Sequence, residues 1–229
     1  MKKLVITFSL VLVALSSNAQ GIFDHIGGEG TTGTLLRNNA IDKKDANISG
    51  TPYFDDKFYY ADISGVPEKV LTRYNTATDE IEIKKEDGDR EFLLPRTDEY
   101  SKIVTKYGKY TLKKVEYVSL KGDKINGYLV ELWSNESASL LRRDKMRVED
   151  SREGNGYTGF IPAKYTKATP EYYIQLKSKE TVQFPKNKKA ITEMFGSKKS
   201  EIDAFFKANK LSWKNEEDMG KIAAFISTL

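Results

Sequence analysis

One histidine and no cysteine stand among the 229 residues, so any chemistry must come from carboxylates, hydroxyls, amines and guanidinium groups. His25 has no second imidazole to join it in a histidine metal site. Without a thiol there is no cysteine nucleophile, disulfide framework, cysteine metal site or lipidated N-terminal cysteine. The Gly-x-Ser-x-Gly elbow of one large class of serine hydrolases is missing too. Glu86-Asp87-Gly88-Asp89 lacks the Asp-x-Asp-x-Asp-Gly pattern of a calcium loop and reads as the tip of a hairpin. Gly27-Gly28-Glu29-Gly30 follows no hydrophobic strand and precedes no Lys-Ser/Thr, so it is not a phosphate loop. Asp55 and Asp56 are adjacent, and neighbours in extended chain point to opposite sides; they read as turn residues. What remains is the set of 33 Asp and Glu side chains, any two of which could meet in the fold as the acid and base of a glycosidase. No spacing singles out such a pair. No catalytic, cofactor-binding or metal-ligating residue is assigned, no cofactor is expected, and ligand-binding residues are unknown.

The aromatic content points towards binding. Thirteen Tyr, eleven Phe and two Trp are many for a chain this polar, and rings with wet tips suit sheet faces and binding surfaces alike. Tyr59, Tyr117 and Tyr128 fall in strand-like segments and are the candidates for a concave binding face, each with the plainer alternative of covering a sheet. Arg142, Arg143, Lys145 and Arg147 form the densest basic cluster. With Asp144, Glu149 and Asp150 beside them, they read as a solvated strand edge.

The elements that position these residues are clearest between Lys69 and Leu94. Asp79-Glu80-Ile81-Glu82-Ile83-Lys84 alternates with period two, placing Ile81 and Ile83 on a dry face and Glu80, Glu82 and Lys84 on a wet one. Asp87-Gly88 is a favoured hairpin turn into Arg90–Leu94, and Val70–Tyr74 supplies the strand before it. Together they predict a three-stranded meander. Phe58–Ile63, the hairpin from Leu112 to Trp133, short strands at Leu140-Leu141 and Met146–Val148, and a last strand at Tyr172–Leu176 extend the sheet. After Lys186 the apolar period becomes helical. Ile191, Met194 and Phe195 lead to a stop at Gly196. Ser197 is expected to cap a second helix that buries Ile202, Phe205 and Phe206, and Asn215 to cap a third that buries Met219, Ile222, Phe225, Ile226 and Leu229. These helices are too short to stand alone. The fold class is therefore α+β: a strongly twisted antiparallel sheet of meanders and hairpins, followed by about three short helices packed on it.

Met1-Lys2-Lys3, the apolar run Leu4–Leu15 and Ser17-x-Ala19 are the three parts of a secretory signal peptide, with cleavage expected between Ala19 and Gln20. The run is well short of the roughly 20 residues of a membrane span. The domains are thus residues 1–19 as signal peptide, 20–46 as a Gly-rich flexible arm, 47–184 as the antiparallel β domain and 185–229 as the helices. Without Lys2 and Lys3 the chain carries 35 basic and 33 acidic side chains, a balance of +2. Nucleic-acid binding calls for a clearly basic domain and is not expected.

Gly50-Thr51-Pro52-Tyr53, Arg73-Tyr74-Asn75 with Asp79-Glu80-Ile81-Glu82, and Leu211-Ser212-Trp213-Lys214-Asn215-Glu216-Glu217-Asp218 form a combination that resembles a group of uncharacterised secreted proteins of Bacteroidetes-type bacteria. The resemblance covers most of the chain after residue 19. It implies an exported protein, periplasmic or extracellular, in a Gram-negative envelope, and carries no activity or site residue. The expected function is a non-catalytic binding or interaction module, a monomer meeting an envelope protein or a glycan. The alternatives are an envelope hydrolase with paired carboxylates, directed at glycans, and a structural accessory of an outer-membrane or secreted complex.

Overall fold

Period-two alternation and closely spaced turns generate a run of antiparallel strands, each paired to a neighbour that hides its apolar side chains. The computed structural model describes residues 22–23, 48–86, 91–154, 156–157 and 159–229. The signal peptide with its Ala19–Gln20 junction, His25, the Gly27–Gly30 run and the Asp87-Gly88 turn lie outside the described residues. Twelve strands follow one another: β1 (Tyr59–Ile63), β2 (Val70–Asn75), β3 (Glu80–Lys84), β4 (Glu91–Leu93), β5 (Lys102–Thr105), β6 (Thr111–Val118), β7 (Lys124–Ser134), β8 (Ala138–Arg143), β9 (Met146–Glu149), β10 (Lys164–Lys167), β11 (Glu171–Leu176) and β12 (Thr181–Gln183). Ten of them form one sheet in the order β12-β11-β8-β7-β6-β5-β1-β2-β3-β4, while β9 and β10 make a separate two-stranded ribbon. The helices are α1 (Lys188–Met194), α2 (Lys199–Ala208) and α3 (Glu216–Ile226). The molecule is α+β, as the sequence pattern implies.

The sheet buries side chains on both faces and curls both ways. On one face Ala61, Val70, Ile81, Ile83, Ile103 and Leu112 form a core over the first strands. Ile22 and Phe23, from the stretch read as an arm, pack into it, and the Ile22 N–H donates to Glu68 Oε1 at 2.6 Å. Further along the same face Leu140 and Ile174 meet Ile191, Ile202, Met219 and Ile222 of the helices. The opposite face of β6, β7, β8 and β11 is a trough with a floor of Val115, Leu129, Leu141 and Tyr173. There the sheet curls until β12 lies alongside β6, with no ladder between the two among the described residues.

Several local readings need correcting. Glu82, placed on the wet face, is buried because Arg73 covers it: Nε donates to Oε2 at 3.0 Å and NH2 at 2.5 Å. Ser197 does not cap α2. A 3-10 turn, Gly196–Lys198, intervenes and puts Lys198 at the cap position without a side-chain bond. Met194, expected inside, is 40% exposed. Asn215 does cap α3, accepting from the Asp218 N–H at 3.0 Å. The sequence pattern does not predict β5, β10 and β12.

Candidate functional site

Sequence parity along the strands decides which side chains enter the trough. Lys113, Val115 and Tyr117 of β6, Gly127, Leu129 and Glu131 of β7, Ser139, Leu141 and Arg143 of β8, and Glu171, Tyr173 and Gln175 of β11 alternate onto this face. The middle is apolar and both ends are polar.

One end meets the turn between β2 and β3. β8 pairs with β7 only from Val130 onwards, so the backbone of Tyr128 needs other partners. Asp79 Oδ1 accepts from the Tyr128 N–H at 3.1 Å, and the Tyr74 hydroxyl lies 2.8 Å from Asp79 Oδ1 and 3.1 Å from the Tyr128 carbonyl. A Cβ at Gly127 would overlap the Asp79 carboxylate, so glycine lets the turn close down on β7. Arg96 donates to the Asp79 backbone carbonyl and, at 3.0 Å, to that of Asn126. Behind this clasp is a cavity of about 240 Å³ lined by Tyr74, Asp79, Tyr117, Tyr128, Arg143 and Asp144 among others. Burial raises the Asp79 pKa above the ordinary carboxylate range despite the nearby Arg96, and pushes Tyr128 up to about 12. Asp144 is buried. Its Oδ2 accepts from Arg142 at 2.9 Å, whereas Oδ1 has no hydrogen-bond partner and lies 3.7 Å from Lys167 Nζ.

Tyr117 and Tyr128 both border this cavity, but on opposite faces of the sheet: Tyr117 belongs to the trough and Tyr128 to the core over the first strands. Tyr59 does not join them. It packs against Tyr110 and donates to Asp55 Oδ2 at 2.7 Å, while Asp56 accepts from Thr51, so Asp55 and Asp56 serve the turn. Two carboxylates distant in sequence, Asp79 and Asp144, line one cavity, but each is held by structural partners. The basic cluster is a solvated edge only in part: Lys145 and Arg147 are exposed, whereas Arg142 also donates to Glu216 of α3 at 2.7 and 3.0 Å, and Arg143 to Glu171 at 3.2 Å. Both side chains are only 15% exposed.

The other end of the trough opens into a cavity of about 620 Å³ between β6 and the turn from β11 to β12. Lys113 and Ser139 line it. Lys113 Nζ lies 3.1 Å from Ser139 Oγ, with no carboxylate within salt-bridge distance among the described residues, and burial lowers its pKa. Ser139 itself is 5% exposed. A neighbouring cavity of about 900 Å³ follows β6 and β12 past Tyr117, Val118, Val182 and Met194.

The ribbon of β9 and β10 is open to solvent. Every described residue of 147–162 is exposed, among them Val148, Tyr157, Phe160 and Ile161, with Tyr157 fully exposed and Phe160 at 61%. Ser49 pairs with Lys164 at its base, and the Met146 N–H reaches the Thr76 carbonyl at 3.4 Å. Arg152 pairs with Ile161 nearer the tip. Among the described residues no helix is long and apolar enough to cross a membrane, and no group of three or more acidic or histidine side chains is placed to hold a metal ion. Comparison with known proteins finds no matching family model, no matching curated protein and no matching solved structure.

Proposed function

We propose that this protein is an exported interaction module of the cell envelope that docks to a partner protein through the β9–β10 ribbon. The supporting observation is the run 147–162, in which every described residue is exposed although four are large and apolar. A two-stranded ribbon is marginally stable in water by itself, and clustered exposed apolar side chains mark interaction surfaces. Arg147, Arg152 and Lys164 are exposed on the same ribbon. Glu149, Asp150 and Glu153 are exposed beside them, and Glu149 pairs with Lys164 at 3.3 Å, so the partner surface is an apolar recess with a rim of mixed charge. Export rests on the leader-like residues 1–19.

The test is site-specific photocrosslinking in the native envelope, with a photoreactive residue at position 157 or 160 and, as a control, at position 193 on α1. A single discrete adduct formed from the ribbon and not from α1, and lost when the remaining ribbon aromatic is changed to serine, is the expected result. Crosslinking only within the chain, or equal adducts from all three positions, would overturn the docking surface.

A further inference from the structure

We propose that Ser139 and Lys113 form a nucleophile and general base that hydrolyse small carboxylic esters at the open end of the trough. The two residues are 26 apart in sequence, yet the curl of the sheet brings Nζ to 3.1 Å from Oγ, the distance at which a base can take a hydroxyl proton. A serine paired with a neutral amine needs neither the Gly-x-Ser-x-Gly elbow nor a histidine, since the amine fills the role of the base. Lys113 is suited to being neutral. It is partly buried, it has no carboxylate partner among the described residues, and its neighbour across the ladder is Lys102, whose own partner is Glu131 at 3.0 Å. Desolvation favours the uncharged amine against the opposing charge of Glu131, and the Lys102 charge acts in the same direction as desolvation. A bulge between Glu131 and Trp133 distorts β7 beside Ser139, a feature common next to reactive sites. The adjoining cavity of about 620 Å³ gives an ester access, with Lys114, Lys177 and Lys179 on its wall alongside Asp98, Glu116 and Glu136.

The chemistry balances without a cofactor. Ser139 Oγ attacks the ester carbonyl carbon and its proton passes to Lys113 Nζ. As the tetrahedral intermediate collapses, the bond from acyl carbon to alkoxy oxygen breaks, and the Lys113 ammonium returns the proton to the alkoxide, releasing the alcohol. Water then attacks the acylated serine, with Lys113 taking its proton and passing it to Ser139 Oγ as that bond breaks. Ester and water become acid and alcohol.

The site lies in the ten-stranded sheet and not in the ribbon, and the test is independent of docking. The mature chain is treated with a fluorophosphonate, which captures an activated serine covalently, and the adduct is mapped by mass spectrometry. Hydrolysis of p-nitrophenyl acetate is followed in parallel. The wild type should be modified at Ser139, and the rate should rise with one deprotonation below the ordinary lysine value of about 10.4. Ser139→Ala should abolish both signals. Lys113→Arg keeps a cationic donor but cannot become neutral, and should slow labelling by about 100-fold or more. An unmodified Ser139 in the wild type would overturn the proposal, as would Lys113→Arg reacting at the wild-type rate; neither result depends on a variant failing to fold.

Discussion

Asp79 shows how one residue holds a curled sheet closed. Its φ of 58° is left-handed, a conformation aspartate tolerates better than most residues, and that twist brings the carboxylate to the orphaned N–H of Tyr128, 49 residues away. The site is dry enough to raise its pKa above the ordinary aspartate value. A carboxylic acid with a higher pKa folded than unfolded binds its proton more readily in the native state, so its contribution to stability falls as pH rises from about 3.8 through the raised value. Asp79→Asn keeps an acceptor for the N–H and removes the titration. The variant should therefore gain stability relative to the wild type as pH rises from about 4 to neutrality. Urea unfolding of both proteins across that range measures the difference, and a difference flat with pH would show that Asp79 is not a buried charge. Nothing local announces this role. Asp79 reads as the first residue of an alternating strand, and its meaning comes from where β8 stops. Lys113 and Ser139 were hidden for the same reason, since the sheet brings them together.

At the scale of elements, legibility follows how much of an element's position is set by its own residues. The meander is legible because Ile81 and Ile83 alternate with charges, and α3 because Asn215 and the stripe of Met219, Ile222 and Ile226 carry cap and face together. Three-residue β12 has one apolar side chain, Val182; it is a strand only because it pairs with β11. Of the exposed ribbon only β9 is legible, as the short strand at Met146–Val148; that Val148, Tyr157, Phe160 and Ile161 face water is set by the fold. The helices cover Leu140 and Ile174, which are fully buried, and Glu216 of α3 accepts from both Arg142 and the Tyr172 hydroxyl, the latter at 2.9 Å. They are a wall of the core. A chain ending at residue 184 should lose cooperative unfolding altogether, and the milder Asn215→Ala should cost about 1 kcal/mol by removing one cap. Circular dichroism through a urea titration reads both. A sharp transition in the shortened chain would make the helices a separable module.

Across the whole molecule, β7 touches every part of the interior. Leu129 lies in the floor of the trough, Val130 in the core over the first strands, and Leu132 packs against that core and the helix-covered one. Curling one way at one end and the other way at the other, the sheet has two halves that share this strand and cannot lose it separately. The halves should therefore unfold together. Both tryptophans report on the helix-covered half: Trp133 packs against Gly220 of α3, and Trp213 stacks on Phe206 with ring centroids 5.6 Å apart. Ile83 is fully buried in the other half. Ile83→Ala should cost about 2–5 kcal/mol and move the tryptophan fluorescence midpoint by the same amount as the circular dichroism midpoint, although neither tryptophan is in its cluster. If the fluorescence midpoint stayed at its wild-type denaturant concentration while the dichroism shifted, the sheet would be two independently stable halves, and β7 a linker between them.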